Sequence, residues 1–434
     1  MWRIVRYPSE EAEAFLRRLE GRNAWIEEER TVQRVREILE RVRREGDAAV
    51  LDYTRQFDCP QAELDSLRVP ESQIERAWAE ISAGLRKAIR EAVERIRAFH
   101  AAQLPRSWFT VDAQGSWMGQ RWVPLERVGM HIPAASAPLV SSLLMAAIPA
   151  QLAGVRELVA TIPPRRDGEI HPAMLAAAYA CEVREVYRCG GAQAIAAMAF
   201  GTETIRPVDK IVGPGSPYSQ LAKKEVFGVV DVDKLAGPSE VLVIADESAR
   251  PDWIAADLLS QAEHSDDCSA LLITPAQELA QAVGEAIGLQ LARLPRRGVA
   301  RASLERFGGA FWVDSLETAV ALSDRIAPEH VEVHTREPMS VALRLQNAGG
   351  IFLGEWTPEA LGDYAAGPNH ILPTGGTARF SSACSVLDFM KRINLLQASA
   401  GTVADLTETV VTLAEAEELQ AHAEAMRIRT GREP

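Results

Sequence analysis

The sequence predicts an α/β protein with two blocks of mostly parallel sheet and small helical segments at its N- and C-terminal ends. Three observations carry that reading. Short apolar runs alternate with helical stretches through the middle of the 434-residue chain, which is the pattern of βα units. The alternation pauses and resumes after residue 300, dividing it into two blocks. Both ends read as helix instead. Two Rossmann-like, incomplete α/β domains are expected, and the chain has no glycine fingerprint of the usual dinucleotide fold.

Taken in order, the first hundred residues read as helix. Residues 31–44 and 71–100 place apolar side chains at helical spacing, and Pro70 suits a helix start. Strands are expected over 158–162, 185–187, 210–212, 241–244 and 270–273. Helices are expected over 141–152, 172–180, 192–200, 216–226 and 253–263. Beyond residue 300 the strands fall at 310–313, 331–333 and 350–353. After about Ala383 the chain turns helical again and ends in a run over 403–426. Breaks near Arg127, residues 235–237 and Ser382 then give four parts. These are an N-terminal helical segment (1–26), a first α/β domain (27–128 plus 237–382), a second α/β domain (129–236) and a C-terminal helical segment (383–434). The terminal segments are expected to pack on a partner subunit.

Composition narrows the function. The chain is 47% hydrophobic and 25% charged, with 47 Lys and Arg against 60 Asp and Glu, a net charge of -13. An acidic chain without a basic stripe suits neither nucleic acid nor an anionic membrane. Its apolar stretches are too short to span a bilayer, and its first residues lack an apolar signal core. Five cysteines without metal-type spacing read as free, buried thiols in a reducing compartment, so a cytoplasmic protein is expected.

Several constellations can carry chemistry. Gln261 and His264 end a helical stretch three residues apart, so they share a face and offer half of a metal site, or else a solvated helix end. Asp363 follows Gly362 in a Gly- and Pro-punctuated loop that runs to His370; it is a ligand or a turn residue. Glu329 and His330 follow Ala327-Pro328 after the helical run 315–326, and a carboxylate beside an imidazole can serve two proton transfers. Glu417 and His422 lie five apart in the last helical run, roughly 140° around a straight helix, so one face cannot aim both at one ion. The helix must end between them, or they meet different parts of one ligand. Gly190-Gly191-Ala192-Gln193 opens a helix whose free amides can bind a phosphate, and Gly213-Pro214-Gly215 repeats that design. Both also suit plain βα turns. Ser239 precedes the clearest strand.

Six motifs in order resemble those of the histidinol dehydrogenase family. They are Gly190-Gly191-Ala192-Gln193-Ala194-Ile195, Val208-Asp209-Lys210-Ile211-Val212-Gly213-Pro214-Gly215, Ala236-Gly237-Pro238-Ser239-Glu240-Val241, Ser260-Gln261-Ala262-Glu263-His264, Ala327-Pro328-Glu329-His330-Val331 and Gly367-Pro368-Asn369-His370-Ile371-Leu372-Pro373. The resemblance covers nearly the whole chain. It implies a zinc- and NAD-dependent oxidation of L-histidinol through L-histidinal to L-histidine, the last steps of histidine biosynthesis. It implies Gln261, His264, Asp363 and His422 as zinc ligands that also hold substrate, with Ser239, His370 and Glu417 as further substrate contacts. It implies His330 as the base for the alcohol step and Glu329 as the residue that activates water for the aldehyde step. It makes domain 129–236 the cofactor side, with His131, Gln193 and Ser216 at the NAD site. It also implies a homodimer whose C-terminal segment reaches the partner's active site.

The departures from the family pattern gather on the cofactor side. His131 stands where family members commonly carry Tyr, Ala134-Ala135 where they carry paired glycines, and Ser216 where they carry Asn. Weaker or altered NAD binding is the expected consequence. The competing readings are a relative that oxidises another alcohol, such as a sulfonated diol, a zinc hydrolase with Glu329 as its base, and a scaffold without catalysis. The intact Glu329-His330 pair speaks against the last.

Overall fold

The computed structural model describes residues 2–22, 28–134 and 137–431. Ala135, one of the two departing alanines, lies outside them. The chain divides into two compact units, residues 1–103 with 125–389, and residues 104–124 with 390–434.

Two parallel sheets build the first unit. The six-stranded sheet runs in the order Ile4–Arg6, Gly308–Trp312, Ser269–Thr274, Glu240–Ala245, His330–His334, Gly350–Leu353, and every pairing is parallel. Its central strands are buried along their whole length, as a sheet covered on both faces requires. One core layer gathers Leu242, Ile244, Leu271, Ile273, Val331 and Val333, and the opposite layer gathers Val241, Val243, Ala270 and Leu272. The alternation of neighbouring residues between layers follows from the two-residue repeat of a strand.

The five-stranded sheet runs Glu185–Tyr187, Glu157–Thr161, Arg127–His131, Lys210–Val212, Asp231–Val232, again all parallel. The helix Glu29–Glu45 packs Val35, Ile38, Leu39 and Val42 against the helix Gly191–Phe200 beside this sheet. All five cysteines are free and buried, and burial pushes the Cys268 thiol up to about 11. No helix among the described residues is long and apolar enough to cross a membrane.

Four sequence expectations need correction. Residues 4–6 are a strand inside the stretch read as all helix, pairing with Gly308–Trp312. The stretch 71–100 is two helices, Glu71–Glu80 and Ala83–Ala101. They part because Ile81 is extended and the Ser82 hydroxyl caps the second helix by accepting from the Leu85 N–H at 3.1 Å. The stretch after residue 383 is not wholly helical, since Met390–Gln397 is a strand. Asp363 sits on a short helix, Glu359–Tyr364, rather than in a loop.

The second unit is a three-stranded antiparallel sheet, Met390–Gln397, Trp117–Pro124, Trp108–Val111, followed by two helices. Those helices are Ala400–Ala416 and Gln420–Thr430. The run over 403–426 is broken at Glu417–Leu419, where Glu418 takes a left-handed φ of 60°. The helix therefore does end between Glu417 and His422. Both residues are exposed. The sheet also exposes Trp108, Phe109, Val111, Met118, Ile393 and Leu396.

Candidate active site

Three elements of the first unit converge on one layer of polar side chains. The strand His330–His334 turns His330, Glu332 and His334 to one side by its alternation. The helix Pro251–Ala262 sets Asp257 and Gln261 one turn apart. The short helix Glu359–Tyr364 sets Glu359 and Asp363 one turn apart. Gly362 lets that helix lie close, because a Cβ there would come within 2.5 Å of the Phe352 ring.

His330 is the centre of the layer. Its Nδ1 lies 2.9 Å from the main-chain oxygen of Glu240. A carbonyl can only accept, so Nδ1 carries the proton and donates it. Burial lowers the pKa of the imidazole and keeps it neutral, which leaves a lone pair on Nε2. That nitrogen is buried and has no hydrogen-bond partner among the described residues. It lies 3.9 Å from an Asp363 carboxylate oxygen and belongs to a residue lining a cavity of about 440 Å3 with Asp363 and His370.

Glu329 is held by a reciprocal exchange. Its carboxylate accepts the Glu240 N–H at 3.0 Å, while the Glu240 carboxylate accepts the Glu329 N–H at 3.1 Å. Arg22 forms an ion pair with Glu240. Glu329 Oε2 lies 3.6 Å from His330 Nδ1. Burial raises the Glu329 carboxyl well above the ordinary range, so it is a stronger base than a surface carboxylate once ionised.

His370 donates Nδ1–H to the Asp363 main-chain oxygen at 2.8 Å, and its Nε2 accepts from the Ser142 hydroxyl at 3.2 Å. Asn369 fixes the same loop by donating to the Met145 oxygen at 2.7 Å and accepting from the Ile371 N–H at 2.9 Å.

Glu359 has no counterpart in the sequence reading. Its carboxylate lies 3.5 Å from His330 Nδ1 and accepts from the Gln261 amide nitrogen at 2.8 Å once that amide is correctly turned. His330, Glu359 and Asp363 bring one ligand-type atom each within 4.8 Å of one another. Burial and the charges of Asp363, Glu332 and Glu329 raise the Glu359 carboxyl well above its ordinary range. Carboxylates this crowded call for a cation or shared protons. Further along the same layer, Glu332 accepts the Glu359 N–H at 2.7 Å, and His334 lies 3.4 Å from Glu332 and 3.9 Å from Asp257.

A family model described as histidinol dehydrogenase matches residues 22–430. The chain belongs to the histidinol dehydrogenase family. It is accordingly an oxidoreductase of the dehydrogenase class. The histidinol dehydrogenase of Geobacillus kaustophilus is 49% identical over 395 residues, 91% of this chain and 93% of that one. The Synechococcus histidinol dehydrogenase is 47% identical, covering 99% of both chains. The crystal structure of histidinol dehydrogenase from Elizabethkingia anophelis superposes with a TM-score of 0.90 at 36% identity, covering 99% of this chain and 98% of that one.

The residues singled out in the sequence are placed as follows. Glu329, His330, Asp363 and His370 come together around the cavity or beside it. Gln261 is fully buried against Glu359, whereas His264 is exposed in the turn after the helix. The half-buried Ser239 makes no side-chain hydrogen bond among the described residues. Glu417 and His422 belong to the second unit.

His131, Gln193 and Ser216 line a separate cleft of about 370 Å3 with Ala134. Burial pushes the His131 imidazole down to about 4, so it is neutral. Ser216 caps the helix Pro217–Val226 through the Ser219 N–H. The turn before it depends on Gly213, at φ 117°, where a Cβ would come within 2.3 Å of the His131 oxygen. A fully buried ion pair of Lys223 and Asp233 brackets that glycine. Lys223 donates to the Gly213 oxygen at 3.0 Å, and Asp233 accepts the Gly213 N–H at 3.0 Å.

Proposed function

We propose that the chain oxidises L-histidinol to L-histidine in two NAD-dependent steps with zinc at the site. The observation that carries this reading is the His330 arrangement. Its Nδ1–H is spent on the Glu240 carbonyl, and a neutral, unpartnered Nε2 is left at the cavity.

The residues fit a divalent cation. Asp363 offers a carboxylate oxygen, and Gln261, with its nitrogen turned to Glu359, offers its carbonyl oxygen. Family resemblance adds His264 and a partner's His422. They also fit a dinucleotide. The first amides of the helix Gly191–Phe200 have no partner inside the helix and border the cleft that holds Gln193. When bound, zinc positions the substrate and NAD accepts one hydride per step.

The protein groups then divide the proton chemistry. In the first step His330 Nε2 takes the hydroxyl proton as the carbinol C–H pair leaves, giving the aldehyde. In the second, Glu329 takes a proton from water as its oxygen bonds to the aldehyde carbon. Loss of the second C–H pair gives the carboxylate. Alcohol plus water thus yields carboxylate, two hydrides and three protons. The neutral His330 and the basic Glu329 suit those separate tasks.

The exposed aromatic and aliphatic face of the second unit supports a homodimer, since an apolar patch of that kind suits a partner surface. Glu417 and His422 are exposed on the same unit and are assigned to the partner's site.

Partitioning tests the scheme. His330→Asn is expected to stop alcohol oxidation, and Glu329→Gln to stop aldehyde oxidation while alcohol oxidation continues. Equal loss of both steps in both variants would refute the division of roles.

A further inference from the structure

We propose that Asp58 is the coenzyme-selecting residue, a carboxylate that receives the ribose hydroxyls of NAD and turns away the 2′-phosphate of NADP. The inference rests on the cleft of His131, Gln193 and Ser216 being the dinucleotide site.

Asp58 follows the helix Asp47–Phe57 and lines that same cleft. Its neighbours there are Phe57, Pro133, Pro163, Ile38 and Tyr218, side chains suited to a flat base. Its own N–H is donated to the Thr54 oxygen at 2.9 Å, and no hydrogen bond or neighbouring charge from the described residues acts on its carboxylate. Burial in this apolar wall pushes its pKa up to about 6. This half-buried carboxylate receives no donor from the described residues, which leaves it open to one brought by a ligand. A ligand carrying two adjacent hydroxyls would supply two donors at once.

Phosphate has its own place in the same cleft, at Gly191 and Ala192 where the helix Gly191–Phe200 begins. The cleft therefore joins an apolar wall, an amide cradle and one acceptor, the requirements of base, phosphate and ribose. An acidic residue serving the ribose 2′-hydroxyl is the general device by which dinucleotide sites prefer NAD, because a phosphate in its place meets a like charge. The residue is identified by position and chemistry here, since the usual glycine fingerprint is missing. Arg34 lines the cleft as well, held only loosely by Glu37 at 3.4 Å. It supplies a cation for a 2′-phosphate once Asp58 loses its charge.

The test is equilibrium binding of NADH and NADPH to the full-length, zinc-loaded enzyme, followed by nucleotide fluorescence, with steady-state KM as a second readout. Asp58→Asn keeps the shape and removes the charge, and Asp58→Ser removes both. The wild type is expected to bind NADH and to bind NADPH at least tenfold more weakly. Both variants should weaken NADH binding and raise the KM for NAD about tenfold, and shrink or reverse the preference for NADH over NADPH. Nicotinamide hypoxanthine dinucleotide, which lacks the adenine amine, should show the same loss. Variants that bind both nucleotides as the wild type does would overturn the proposal while leaving the NAD site standing. A loss that vanishes with the hypoxanthine nucleotide would overturn it too, moving the contact to the base. A wild type that binds neither nucleotide would instead refute the dinucleotide reading itself.

Discussion

Asp233→Asn strips the negative charge from the buried pair that brackets Gly213 while keeping an oxygen for the Gly213 N–H. In the native protein both side chains are fully buried. Burial lowers the Lys223 pKa, and Lys223 with Lys234 holds Asp233 below the ordinary carboxylate range in spite of its burial. Removing one partner of a buried pair costs about 3–5 kcal/mol, because the other charge is left uncompensated. There is also a ceiling. Lys223 can shed its proton, and deprotonating a lysine of ordinary pKa at pH 7 costs about 4–5 kcal/mol. The variant should therefore lose about 3–5 kcal/mol at pH 7 in denaturant unfolding. Its pH dependence gives a second signature. The unfolded lysine keeps its proton up to roughly pH 10.4 while the folded one has lost it, so the unfolded state binds more protons and stability rises with pH. The deficit against the wild type should shrink by up to about 1.4 kcal/mol per pH unit above pH 7. A deficit under about 1 kcal/mol, or one that stays constant from pH 7 to 9.5, would refute the claim that an unpaired buried ammonium is the cause.

Glu329→Gln retains the oxygen that accepts the Glu240 N–H, so stopped-flow assays with histidinal should show about 10²–10⁴-fold slower aldehyde oxidation in a folded enzyme. In the wild type that step should rise with pH as the raised Glu329 carboxyl ionises, whereas the alcohol step stays level to lower pH because His330 is already neutral. Gly362→Ala drives a methyl into the Phe352 ring and should cost about 1–3 kcal/mol in thermal unfolding, with kcat reduced through the displaced Asp363. In the cleft proposed for the dinucleotide, His131→Tyr with Ser216→Asn is expected to tighten NADH binding in a fluorescence titration. Unchanged affinity would show that these departures do not weaken the site.

The central sheet was legible because its strands are covered on both faces. Val241-Leu242-Val243-Ile244 is an unbroken apolar run, and it is buried throughout. The antiparallel sheet was not, because Trp108–Val111 is exposed along its length and buries no face to set a period. A signal was present in the turn, where Asp112 accepts from the N–H groups of Gln114 and Ser116 between two aromatic runs. At the site, Glu329-His330 and Asp363 stood out by motif and residue type. Glu359 did not, since it precedes a Gly- and Pro-punctuated stretch from Gly362 to His370 that reads as a loop. The exchange between Glu240 and Glu329 links residues 89 positions apart and depends on two neighbouring parallel strands, which no local pattern reveals. Asp58 carries no motif at all, and only the shape of the cleft brings it beside Gln193.

The most direct test of the account counts NADH formed per L-histidinol by the wild-type enzyme, before and after zinc chelation. Two equivalents, abolished by the chelator and restored by zinc, are the predicted result. One equivalent with aldehyde accumulating, or turnover indifferent to chelation, would contradict it.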